Sequence, residues 1–97
     1  MSTLGMQTLI ELDGNGTLGR LIDNRNWTAV RDDLKILLPV GVSYNLTVYD
    51  DAMNQINNST IGNGLKGQKV VSVEYPCASQ SLTSDLYLIR LQLAYAG

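Results

Sequence analysis

Histidine and phenylalanine are absent from the sequence, cysteine occurs once and proline twice. Without histidine the chain lacks the commonest general base, the commonest zinc ligand and the usual activator of a serine or cysteine nucleophile. Ordinary hydrolase chemistry is disfavoured, and no catalytic residue, metal ligand or cofactor is assigned. The single cysteine, Cys77 in "EYPCAS", excludes an internal disulfide framework and a thiolate metal cluster. It reads most simply as a small half-buried apolar residue, with intermolecular thiol pairing as the alternative. Charge of one sign is also missing: seven basic and nine acidic residues leave a net charge of −2, spread without runs. No electrostatic footprint for nucleic acid is expected. No apolar stretch approaches the roughly 18 residues of a membrane span. The opening "MSTLGMQTLIELD" has neither a basic lead nor a long apolar run.

What the chain does have is apolar content, 44 % over 97 residues. A chain of this length buries roughly two-thirds of the surface its unfolded form exposes, which suffices for one small core. Leu4, Met6, Leu9, Ile10 and Leu12 fall mostly at helical spacing, which predicts a helix over 3–12. "DGNG" should end it in a tight turn, and Leu18, Leu21 and Ile22 then form a short apolar turn. Asn26 can cap a second helix whose one face carries Trp27, Val30, Leu34 and Leu37 and which Pro39 ends.

Beyond Pro39 the period changes from helical to alternating. In "GVSYNLTVYD", Val42, Tyr44, Leu46 and Val48 point inward while Ser43, Asn45, Thr47 and Tyr49 point outward. "DDAMN" reads as a turn, with a short second strand expected near Gln55 and Ile56 and an exposed loop over 57–67. "KVVSVEY" gives a third strand with Val71, Val73 and Tyr75 inside. In "DLYLIRLQLAY", Tyr87, Ile89, Leu91, Leu93 and Tyr95 make a wholly apolar face, and Leu86, Leu88, Arg90, Gln92 and Ala94 a mixed one. That composition belongs inside a sheet, not at its edge. The expected fold is α+β: N-terminal helices packed on one face of a three- to four-stranded antiparallel sheet. Residues 1–38 form the helical part and 40–97 the sheet of a single domain.

Two patterns bear on function. "LDGNGTLGRLID" superficially resembles a calcium loop, but counted from Asp13 it has Leu18 where the glycine belongs, Arg20 where an apolar residue belongs and Asn24 in place of the bidentate glutamate. A metal-dependent role for Asp13, Asn15 and Asp23 is therefore the weakest alternative. Asp50-Asp51 reads as turn chemistry, and Arg31, Asp32, Asp33 and Lys35 as a solvated helix face. Tyr44, Tyr75, Tyr87 and Tyr95 lie at core positions of strands. The second pattern is Asn-X-Ser/Thr, which occurs at Asn15, Asn26, Asn45, Asn57 and Asn58. Five sequons exceed the roughly one expected by chance, and each lies where exposure is expected, so all five are candidate N-glycosylation acceptors. The competing explanation is that Asn and Thr favour caps, turns and outward strand positions in any protein.

The order "LDGNGTLGRLI", then a short helix, "LLPVGVSYNLTVYD", "VVSVEYPCAS" and "LYLIRLQLAYA" resembles the soluble head of archaeal type IV pilin-like proteins with a class III signal peptide. The resemblance covers nearly the whole chain from Leu4, with "LPVGVSYNLTVYD" its most telling piece. It implies a pilin-head-like fold and a cell-surface or extracellular structural role in filament assembly or adhesion. The partners it implies are other pilin-like subunits or surface components. It further implies an apolar helix upstream of Met1, cleaved by a prepilin-type peptidase, as the only contact with a membrane. It supplies no catalytic residues. The alternative from another class is a small secreted ligand-binding domain using the mixed face of the last strand or the 57–67 loop.

Overall fold

The computed structural model describes residues 2–57, 61–62, 64–65, 69–81 and 86–95. Among these, three α-helices, α1 (Ser2–Leu12), α2 (Thr17–Asp23) and α3 (Trp27–Leu37), pack on a sheet of four strands, β1 (Val42–Tyr49), β2 (Ile61–Gly62), β3 (Val71–Ala78) and β4 (Leu86–Tyr95). The sheet is antiparallel throughout, in the order β2-β1-β4-β3. The α+β arrangement expected from the helix-then-strand pattern is the one found.

The central strand is β4, as its apolar face requires. Val42 to Tyr49 of β1 pair with Tyr95 to Leu88 on one side, and Val71 to Ala78 of β3 pair with Leu93 to Leu86 on the other. This register aligns inward residues in rows: Leu46, Leu91 and Val73 in one, Val48, Ile89 and Tyr75 in the next. Ile89, Leu91 and Leu93 are fully buried beneath Leu9, Leu18, Ile22, Val30 and Leu34 of the helices. Each such side chain contributes about 1.5–3 kcal/mol on leaving water, so this layer dominates the stability of the fold.

Helix α1 lies along β3 in the same direction. Its Gly5 sits against the Val73 and Leu93 side chains, and Asp13, just past its end, reaches Tyr75 and Cys77. The start of α1 is therefore at the pole where β1 and β3 begin and β4 ends. The turn after α1 and the end of α2 lie at the opposite pole, where Gly16 meets Gln80 and Gly19 meets the Ala78 carbonyl. Helix α3 begins at Asn26, whose side-chain oxygen accepts from the Ala29 N–H at 3.3 Å, satisfying one of the free donors of the first turn. Leu38 is already extended, as a residue before proline prefers.

The structure corrects four expectations. The short apolar turn is a true helix, α2. The second strand is Ile61–Gly62, not the segment near Gln55 and Ile56, which contributes only a single bridge from Gln55 to Tyr49. Ile61 is buried, and so is Asn57, so the described part of 57–67 is not simply an exposed loop. Ser43, placed outward by alternation, is buried next to Ala94 and donates to the Ala94 carbonyl at 3.1 Å.

Candidate functional site

A cluster of polar groups with displaced proton affinity lies at the pole away from the start of α1; Tyr44, raised by burial, stands apart from it near the start of β1. Two carboxylates, Asp13 just after α1 and Asp23 as the last residue of α2, reach across to the sheet. The chain reverses between them through two successive left-handed residues, Asn15 (φ 58°) and Gly16 (φ 76°). Asparagine tolerates that conformation and glycine adopts it without penalty.

Asp13 accepts the Tyr75 hydroxyl at 2.7 Å on one oxygen and the Cys77 thiol at 3.5 Å on the other. Asp23 accepts the Tyr87 hydroxyl at 2.6 Å, the Ser79 hydroxyl at 2.7 Å and the Gln80 N–H at 2.8 Å. Each carboxylate thus pins a helix end to the strand end beneath it, α1 to β3 and α2 to the β3 terminus and β4. The hydrogen bond to Asp13, reinforced by burial, pushes the Tyr75 phenol up to about 12. Burial, then the Asp13 charge, pushes the Cys77 thiol up to about 12 as well. Burial and the bond to Asp23 also raise Tyr87. At Asp23, burial works to raise the carboxyl, but the Tyr87, Ser79 and Gln80 bonds outweigh it and hold the group below its usual value.

These shifts keep the phenols and the thiol protonated and Asp23 ionised, which favours holding the hydrogen bonds over releasing protons. A nucleophilic cysteine needs a lowered pKa and access. Cys77 has the reverse of both, being completely buried, so the intermolecular pairing considered for it is out of reach in the folded chain.

The calcium-loop residues are separated by this arrangement. Asp13 turns to β3 and Asp23 to Tyr87, while Asn15 faces solvent. No group of three or more His, Cys, Asp or Glu that could hold a metal ion occurs among the described residues. Asp50 accepts the Ala52 and Asn54 N–H groups at 3.0 and 2.8 Å, a turn clasp in which Asp51 takes no part. On the open face of the sheet, Arg90 lies 3.3 Å from Glu74 and 5.4 Å from the centre of the Tyr49 ring. The cation of the mixed face is therefore already engaged. A hollow of about 310 Å³ beside α3 is lined by Arg31, Asp32, Lys35, Tyr44 and Gly62.

The sequons separate sharply. Asn15 and Asn26 are exposed, and Asn45 is half-buried on the outer face of β1 between Gln92 and Gly62. Asn57 is only 5 % exposed. Its side-chain oxygen accepts the Val48 N–H at 3.0 Å, while the Ile56 N–H donates to the Val48 carbonyl at 2.9 Å. The Asn57 amide stands in for a missing strand at that point of the β1 edge, and the exposure expected of it is corrected. Asn58 lies outside the described residues.

Sequence reasoning missed the two clasps. Asp13 and Tyr75 are 62 positions apart, and Asp23 and Tyr87 are 64 apart. The only local signal was that each acid follows an apolar helical pulse and each tyrosine occupies an inward strand position. Compared with known proteins, the chain matches no protein-family model, no curated protein and no solved structure.

Proposed function

We propose that this domain is a non-catalytic module of the cell surface, the exposed head of a pilin-like subunit that acts through its surfaces in filament assembly or adhesion. The observation that carries the reading is the placement of α1. It lies along β3, starting at the pole where β1 and β3 begin and β4 ends. The apolar upstream helix that the resemblance implies would join the domain at that pole, leaving the opposite pole and the open sheet face free to meet solvent or partner subunits. The two carboxylate clasps support the non-catalytic part of the reading. Their hydrogen bonds hold helix ends to strands and keep the phenols and the thiol protonated.

The decisive experiment is to read the gene upstream of Met1. A basic cleavage site followed by about 20 apolar residues supports the proposal. An in-frame upstream region coding for an unrelated polar domain, or a stop codon directly before Met1, overturns it. Fractionation of native cells provides the second readout, with the protein expected in the surface or shed-filament fraction.

A further inference from the structure

Resting on the surface-displayed reading, a sharper statement concerns which sequon a glycosyltransferase can use. The enzyme must draw Asn, the middle residue and the hydroxyl residue into its active site in an extended form. A folded acceptor therefore has to release all three. The middle residue decides the cost, because it must leave whatever it packs against.

At Asn26 the middle residue is Trp27, buried in the core at the start of α3, and the Asn26 side chain itself caps the helix. At Asn45 it is Leu46, completely buried and paired on both sides, to Leu91 and to Ile61. At Asn57 the acceptor amide itself is buried and bonded to the β1 edge. At Asn15 the middle residue is Gly16, which has no side chain to extract, and Asn15 is exposed in a turn between helices. Opening that turn breaks the Gly16 N–H bond to the Asp13 carbonyl, 2.9 Å, the Thr17 hydroxyl and backbone N–H bonds to the Gly14 carbonyl, and the Arg20 bond to the Thr17 hydroxyl. None of the three sequon residues is itself a core side chain.

We propose that Asn15 is, among the sequons in the described residues, the one that accepts an N-linked glycan in the folded domain, from a polyisoprenyl-phosphate-linked oligosaccharide donor. In the transfer, the Asn15 Nδ2 attacks the anomeric carbon of the first sugar and gives up a proton to the enzyme's base. The bond from that carbon to the donor phosphate oxygen breaks, and the lipid phosphate leaves with the electron pair. The amide oxygen is untouched. The sugar then stands at the pole opposite the start of α1, where it would coat the outer end of the proposed head and leave the open sheet face bare.

The test is in vitro glycosylation of the folded 97-residue chain with a purified single-subunit oligosaccharyltransferase and a defined lipid-linked oligosaccharide. Glycopeptides are mapped by mass spectrometry, and the same reaction is run on urea-unfolded, diluted chain. The expected result is a glycan at Asn15 of the folded chain, abolished by Asn15→Gln, with Asn26, Asn45 and Asn57 modified only from the unfolded chain. Modification of Asn26 or Asn45 on the folded chain at or above the Asn15 level overturns the proposal. So does a folded chain with no sugar at Asn15, whatever the other sites carry. Because the reaction is run outside the cell, its outcome is independent of the upstream gene sequence that tests the surface reading.

Discussion

Single atoms decide much of this fold. A Cβ at Gly19 would stand 2.2 Å from the Ala78 carbonyl oxygen, which belongs to backbone and cannot swing away. Gly19→Ala should therefore push α2 off the end of β3 and cost about 1–3 kcal/mol, read as a lowered midpoint in urea at unchanged slope. The same change at Gly14, which has nothing within 4 Å of a built Cβ, should leave the midpoint nearly unmoved. Asn57 is the second such residue. Asn57→Ala leaves the Val48 N–H without its acceptor in a buried setting, a loss of about 1–3 kcal/mol, and hydrogen exchange at Val48 should accelerate more than at Leu46. Neither structural role stands out in the sequence, where Asn57 is noticed only as a sequon. A glycine inside a short apolar pulse and an asparagine in a polar run both carry the signature of a loop. Their roles come from backbone that arrives from elsewhere in the chain, Ala78 in one case and Val48 in the other.

At the scale of elements, legibility follows the range of the interactions. Helix α3 was readable because its cap, its apolar face and its proline stop all lie within 14 consecutive residues, 26–39. Strand β4 was readable because a strand apolar on one face and half apolar on the other needs neighbours on both edges. Strand β2 was not, because Ile61–Gly62 becomes a strand by lying against β1. Gly62 approaches the Tyr44 carbonyl so closely that a Cβ would be 2.2 Å away, a contact no local pattern announces. The clasp between α2 and the sheet makes a testable claim on acid stability. Asp23 has its carboxyl held below its usual 3.8, so its contribution is present above that value and is lost as pH falls through the lower folded value. Melting temperature should decline as pH falls below about 4, and Tyr87→Phe, which deletes one donor to Asp23 and so brings its folded value nearer 3.8, should make that decline smaller.

For the molecule as a whole the alkaline side is the weaker one. Tyr75 and Cys77 each lose their proton at about 12 in the folded chain, against 10.0 and 9.0 ordinarily, so the unfolded chain deprotonates first. Stability is then whole below about pH 9 and falls as pH rises toward about 12. Circular dichroism melts across that window should show it, and Tyr75→Phe should shrink the slope above about pH 10. A thiol reagent at neutral pH should modify Cys77 no faster than the chain opens, because the sulfur is fully enclosed.

The position of β4 carries a consequence for biosynthesis. β1 and β3 do not pair with each other; both are joined through the strand that follows them in the chain. Residues 42–78 can leave the ribosome with β1 and β3 still unjoined, so a chain cut before Leu86 should show no cooperative melting and rapid proteolysis. The sheet therefore closes late in synthesis, once Leu86–Tyr95 is available to join β1 to β3.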